Sequence, residues 1–264
     1  MNLSTVILAA GLGTRMKSAT PKVLHRIYGK PLVRYVVDAL RPMSPRKTVV
    51  VIGPEGDAIR EALQECAVDF ALQHVPKGTG DAMKAAVQEI GSFDGTVIVV
   101  SGDTPLIRTS TIERFLDLHR RNGEDLSILS FTARGDHAYG RIVRNDGTVV
   151  AVVEDRDARG AIREIREVNS GIYAIESRLL SLLADIPLNE DKGEYYLTDI
   201  VGIAAGRGHR IGAHMLGDEL ELTGINTRAE LQQAGLALRD RIVAEWMDRG
   251  VSFMDASTVH IHPD

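Results

Sequence analysis

Apolar residues over the first 105 positions fall into two alternating patterns: short continuous runs, and longer stretches that repeat every three or four residues. Residues 5–9 form a continuous run, as expected of a strand covered on both faces. Residues 48–52, 68–73 and 96–100 read as three further strands. Between them, Leu32, Val33, Val36, Val37 and Leu40 share one helical face, opened by Pro31 and stopped by Pro42. Ala58, Ile59, Ala62, Leu63 and Cys66 form a second stripe, and residues 81–90 a third helix. Strand and helix alternating in this way predict an α/β fold, a three-layer sandwich around a mostly parallel, Rossmann-like sheet.

Beyond Pro105 the pattern changes. Residues 111–121 read as a helix and 125–133 as a strand. Residues 141–143 and 149–153 flank Asn145-Asp146-Gly147, a strong hairpin signal, and 168–175 form another strand. Antiparallel pieces appended to a parallel sheet predict the wall of a substrate pocket. Residues 228–249 predict a long helix with Leu231, Leu238, Ile242, Trp246 and Met247 on one buried stripe, ended by Gly250. The last fourteen residues, 251–264, read as extended or frayed, with His260 and His262 alternating along a solvated strand end.

Composition narrows the classes of function. Among 264 residues, 36 acids against 31 bases leave a net charge of −5, which gives no reason to expect nucleic acid or an anionic membrane as partner. An anionic ligand would need its positive charge gathered locally. A single cysteine, Cys66, excludes a disulfide framework and any CxxC motif, so a reducing cytoplasm is expected. The N-terminal apolar run ends at Gly11 without a basic region before it, which argues against a signal peptide. No run approaches the roughly 18 apolar residues of a membrane span.

Three loops carry candidate chemistry. Leu8-Ala9-Ala10-Gly11-Leu12-Gly13-Thr14-Arg15-Met16 leaves the first strand, followed by Pro21-Lys22-Val23-Leu24. Its glycines let backbone N–H groups approach phosphate, and Arg15 and Lys22 supply fixed cations where a triphosphate would lie. A dinucleotide loop needs a third glycine where Met16 stands, and the Gly-Lys-Ser/Thr ending of a P-loop is missing. Ser101-Gly102-Asp103-Thr104-Pro105 follows the fourth strand. Asp103 reads either as a Mg²⁺ ligand beside a polyphosphate or as a turn aspartate capping its own backbone. After the third strand come Gln73 and Gly78-Thr79-Gly80-Asp81-Ala82. The Gln73 amide can pair with a base edge, while Thr79 or Asp81 equally reads as a helix cap. Ligands of open parallel sheets bind beyond the carboxyl ends of the strands, and all three loops lie there.

In these motifs, and in Tyr139-Gly140-Arg141-Ile142, Val153-Glu154, Asn169-Ser170-Gly171-Ile172-Tyr173, the GEYYLTDI stretch ending at Ile200, and Gly224-Ile225-Asn226, the chain resembles one family. It is the uridylyltransferase domain of bifunctional N-acetylglucosamine-1-phosphate uridylyltransferase/glucosamine-1-phosphate acetyltransferase. The resemblance runs in order over residues 3–230 and implies the nucleotide-diphospho-sugar transferase fold. Residues 1–226 would be the nucleotidyltransferase domain, with a nucleotide-binding half (1–105) and a sugar-binding half (106–226). Residues 227–250 would be a linker helix, and 251–264 a stub leading toward a β-helix domain. By that resemblance Leu8, Ala9, Ala10, Gly11, Gln73, Gly78 and Thr79 would hold the uridine, Arg15 and Lys22 would be catalytic and bind phosphates, and Gly13, Ser101 and Gly102 would be further substrate-binding positions. Asp103 and Asn226 would coordinate Mg²⁺, and Gly140, Glu154 and Asn169 would hold N-acetylglucosamine. Two departures stand out. The family's Leu-Gly-Thr-Gly-His-Ala is here Lys77-Gly78-Thr79-Gly80-Asp81-Ala82, and the hexapeptide β-helix that carries acetyl transfer and trimerisation has no counterpart in these residues.

The expected reaction joins UTP to N-acetylglucosamine 1-phosphate and releases pyrophosphate. Its product, UDP-N-acetylglucosamine, feeds peptidoglycan and lipopolysaccharide synthesis in the family. Glucose 1-phosphate with UTP or dTTP is a near rival, and a non-catalytic nucleotide-sugar sensor a distant one. A sensor has no need of Arg15, Lys22, Asp103 and Asn226 together.

Overall fold

Alternate residues of the buried strands serve opposite faces of one sheet. In β1 (Leu3–Leu8), β2 (Lys47–Ile52) and β4 (Thr96–Ser101), Val6, Val49, Val51, Val97 and Val99 enter one apolar cluster, and Ile7, Val50, Ile52, Ile98 and Val100 enter the other. Both faces are therefore covered, and the runs read as continuous instead of alternating. The computed structural model describes residues 2–11, 13–135 and 137–263; Leu12 of the first motif and the terminal Met1 and Asp264 lie outside them.

On one face lie α1 (Leu32–Leu40), α2 (Asp57–Ala62) and α4 (Thr109–Arg121), burying Val33, Val36, Leu40, Ile59, Ile112 and Phe115. On the other lie α3 (Thr79–Ile90), α5 (Asp199–Gly206) and the 3₁₀ stretch Ser177–Asp185, with Met83, Ala86, Ile200, Val201 and Leu182 inside. This is the three-layer arrangement that the pattern predicts. α2 is shorter than its stripe implies. It stops at Ala62, and the chain turns through Leu63 and half-buried Cys66 to enter β3 (Asp69–Leu72).

Among the described residues the main sheet has nine strands, completed by β5 (Leu126–Thr132), β6 (Arg141–Asn145), β7 (Thr148–Val153), β8 (Glu167–Glu176) and β9 (Ile211–Met215). The path runs β9-β5-β8-β4-β1-β2-β3. β1 pairs in parallel with β2 and β4, β2 with β3, and β5 with β9. β8 is antiparallel to both β4 and β5, so it alone on the path is reversed. β6 and β7 form the predicted hairpin, closed by Asp146 and Gly147 at φ 46° and 80°, the two positive values of a type I′ turn.

After the one-turn α6 (Glu219–Leu222), the C-terminal helix α7 (Arg228–Asp248) opens with a capping box between Thr227 and Glu230. It packs Ala234, Leu238 and Ile242 on Ile27, Leu32, Tyr35, Leu106 and Ile225, which docks it on the first half of the chain. Its predicted stripe is only partly correct. Trp246 and Met247 are 39% and 44% exposed, because the helix runs past its packing surface after Val243. The tail is not frayed: Ile261 packs against that same cluster, and His260 Nδ1 lies 3.1 Å from the Tyr28 hydroxyl. No helix among the described residues is long and apolar enough to cross a membrane.

Removing the cap tests how far this docked helix contributes to the whole. Thr227→Ala is expected to lower unfolding stability by about 1 kcal/mol, read from the midpoint of urea denaturation with an unchanged slope.

Candidate active site at the carboxyl rim of the sheet

The first loop is held between the ends of two neighbouring strands. Ala9 N–H donates to Val51 C=O and Gly102 N–H to Leu8 C=O, each at 2.9 Å, so residues 8–11 pass between the β2 and β4 exits. Gly13 sits at φ 60°, where a Cβ would come within 2.5 Å of the Lys22 Cβ; only glycine lets the loop fold onto Lys22. Met16, in the place of a third glycine, is 1% exposed and takes a packing role.

Four predicted side chains meet. The Lys22 ammonium pairs with Asp103 Oδ2 and donates to Asn226 Oδ1 at 3.1 Å, and Arg15 Nη2 donates to the same Asn226 oxygen at 2.7 Å. Asp103 is 5% exposed, and its Oδ1 is buried with no hydrogen-bond partner. It therefore does not cap its own turn; its neighbour Thr104 bonds the Ser101 carbonyl instead, at 2.9 Å. Asn226 arrives from the loop after β9, stitched to the Asp103 turn by Ile225 N–H on Asp103 C=O at 2.9 Å. Its side-chain amide donates to Gly224 C=O at 2.9 Å and its backbone N–H to Glu230 Oε2 at 2.6 Å. Glu230 is a positioning residue absent from the predicted set, although Thr227-x-x-Glu230 is a legible capping signature.

The donor set suits a hard divalent cation. An unpartnered carboxylate oxygen beside an amide oxygen is what Mg²⁺ accepts, and Mg²⁺ ordinarily takes its remaining oxygens from phosphate and water. Among the described residues no group of three or more His, Cys, Asp or Glu could hold a metal.

Beyond β3, Gln73 is buried and donates Nε2 to Gly78 C=O at 3.0 Å and to Asp81 Oδ2 at 2.7 Å. α3 begins at Thr79, so the predicted side-chain cap is absent: the cap position is Gly78. Thr79 Oγ1 instead accepts from Leu197 N–H at 3.0 Å. Gly78 lies at φ 89° with the Tyr195 carbonyl 2.6 Å from where a Cβ would be, so the GEYYLTDI segment packs directly on this loop.

The third group is the appended wall. β8 runs antiparallel to β4 with Tyr173 opposite Val99, so Asn169 extends beyond the carboxyl end of β4, toward the level of Asp103. Asn169 donates from its backbone to Gly140 C=O at 2.8 Å and from Nδ2 to the Tyr173 hydroxyl at 2.7 Å; its Oδ1 accepts from Gly171 N–H at 2.9 Å. Glu154, just after β7, accepts from the Thr198 hydroxyl at 2.8 Å. Burial pushes the Glu154 carboxyl up, with Asp199 and Asp157 adding to the effect and the Thr198 bond opposing it. Burial and the nearby Glu154 likewise push the Tyr173 phenol up. Thr198 and Tyr173 were not singled out in sequence as site residues. A cavity of about 840 Å³ lies near this rim, lined in part by Phe131, Tyr139, Thr223, Ile225 and Glu230; none of the predicted site residues lines it.

Residues 5–175 match the model of the MobA-like NTP transferase domain. The chain is 44% identical over 262 residues to the bifunctional protein GlmU of Thermodesulfovibrio yellowstonii, covering 99% of this chain and 58% of that protein. It is 42% identical to the bifunctional protein GlmU of Streptomyces avermitilis, covering 98% and 55% respectively. The chain thus spans about half the length of the curated relatives it matches. Its fold also matches a crystal structure of UDP-glucose pyrophosphorylase complexed with UDP-glucose, at a TM-score of 0.72 and 19% identity over 91% of this chain and all of the other.

The raised Glu154 carboxyl sets a pH test. The folded state holds this proton more tightly than the unfolded chain, so its contribution to stability falls as pH rises from the ordinary carboxylate range through the raised value. Glu154→Gln is expected to melt higher than the parent at neutral pH, by an increment that shrinks on acidification. Paired melting curves across that range measure it.

Proposed function

The chain belongs to the family of MobA-like NTP transferase domains, and from that premise we propose that it transfers UMP from UTP to N-acetylglucosamine 1-phosphate, releasing pyrophosphate. The observation that carries the reading is the junction of Lys22, Arg15, Asn226 and a buried Asp103 with one oxygen unpaired, at the rim where three parallel strands end. Resemblance to relatives named GlmU over nearly the whole chain supports the choice of substrates.

The sugar phosphate oxygen is already a nucleophile, so no serine, cysteine or histidine need be activated. It attacks the α-phosphorus of UTP in line; a new P–O bond forms, the bond to the bridging oxygen breaks, and pyrophosphate leaves with that electron pair. Catalysis is then positioning and charge neutralisation. Lys22 and Arg15, now sharing one amide oxygen, turn to the stronger acceptors that the arriving phosphates offer. Asp103 Oδ1 and Asn226 Oδ1 would hold Mg²⁺, which when bound supplies further positive charge to offset the repulsion between the two anions. Glu230 keeps Asn226 in place. Gly11, Gln73, Gly78 and Thr79 seat the uridine, and Gly140, Glu154 and Asn169 seat the sugar.

Pyrophosphate release from a matrix of UTP, dTTP and CTP against N-acetylglucosamine 1-phosphate and glucose 1-phosphate tests the reading. UTP with the N-acetylated sugar is expected to be the fastest pair. Lys22→Ala and Asp103→Ala, each checked for folding by its melting curve, are expected to lose about 10²–10³ in rate, as when one preorganised electrostatic contact is removed. Folded variants that release pyrophosphate at the parent rate would refute the assignment.

A further inference from the structure

Gln73 has both N–H bonds of its amide committed. Its two partners, Gly78 C=O and Asp81 Oδ2, are acceptors only, so the NH₂ group must face them. The opposite flip would press the amide oxygen against a carbonyl and a carboxylate. That leaves Oε1 without a partner among the described residues, on a side chain only 4% exposed. The first turn of α3 follows, and its cap position, Gly78, makes no side-chain cap, so its leading N–H groups have no capping side chain. Asp81, in that first turn, is tied by its own carboxylate to Gln73.

We propose that Asp81 is a positioning residue that locks the Gln73 amide with its oxygen outward, so that the loop accepts a base presenting an N–H between two carbonyls and rejects one presenting a ring-nitrogen lone pair. Uracil and thymine offer that edge: N3–H meets the Gln73 oxygen, and carbonyl oxygens on either side suit uncapped backbone N–H groups. Cytosine seated in the same way turns its N3 lone pair toward the Gln73 oxygen. With Gly78 C=O as its one remaining partner, the glutamine can turn its NH₂ end to the base for the loss of a single neutral hydrogen bond, and so accommodates both more nearly equally. The bond to Asp81 is charge-assisted, the stronger kind, and it is this bond rather than Gln73 alone that fixes the choice. The inference rests on the nucleotide reading above and deepens it.

Dissociation constants for UTP, CTP and UTP methylated at N3, measured by calorimetry on the whole chain, test it without requiring turnover. The parent is expected to bind UTP about tenfold more tightly than either of the other two, the scale of one net hydrogen bond. In Asp81→Asn, and in Asp81→Ala as a second variant, the UTP:CTP ratio is expected to fall several-fold, because Gly78 C=O alone then opposes the flip, with melting curves confirming the fold. A purely structural role would weaken all three ligands together and leave the ratio alone. A parent with no preference, or variants that keep the parent ratio, would overturn the proposal. A parent that prefers UTP but releases no pyrophosphate would count against the transfer reaction and leave the base filter standing.

Discussion

A buried carboxylate must be neutralised, and in this molecule that single requirement organises the rim of the sheet. Asp103 is 5% exposed, and the Lys22 ammonium lies against one of its oxygens. Taking both charges out of water is costly, and removing either partner leaves the other stranded. The pairing therefore constrains three stretches of chain at once: the loop after β1, the turn after β4, and the segment that leads from β9 into α7. Gly13 has to let the first loop close onto Lys22, and Glu230 has to hold Asn226 from the first turn of the last helix. The pairing still leaves one buried Asp103 oxygen without a partner.

The sheet supplies the geometry for this at little cost. β1, β3 and β4 lie parallel within one sheet, so their exits share an edge without any special device. The wall beside this rim comes from reversing a single strand. β8, antiparallel to β4, carries its early residues past the point where β4 stops, and so brings Asn169 and its partner Gly140 to the same rim. Tyr195 and Leu197 then lean on the loop at Gly78 and Thr79, so the later part of the chain supports the earlier part.

Much of this was legible in the order of residues. Doubly buried strands declare themselves as continuous runs, because period-two alternation disappears when both faces are apolar; hence the parallel block and its layers could be read directly. The glycines of the first loop, with Arg15 and Lys22, carried a local chemical meaning. What could not be read was tertiary. Trp246 and Met247 obey helical spacing yet stay exposed, since spacing records which side a residue is on and says nothing about where its support ends. Thr198 and Tyr173 each bond a residue far away in sequence or across a strand bulge, and nothing in their immediate neighbours marks that. Asp81 has the composition of an ordinary helix start. Its bond to Gln73, eight residues earlier, exists only because β3 and α3 meet through a tight loop.

The reversed strand also bears on how the chain is made. β1, β2, β3 and β4 are complete by residue 101, and they can pair as soon as they emerge. The outer edge of β4 stays open until residues 167–176 arrive to cover it, so for some seventy residues of synthesis an apolar strand edge is presented to the cell. Open edges of that kind template pairing with other chains. The nascent chain therefore passes through an interval of vulnerability set by topology, and the strand that carries Asn169 to the rim is also the one that brings it to an end.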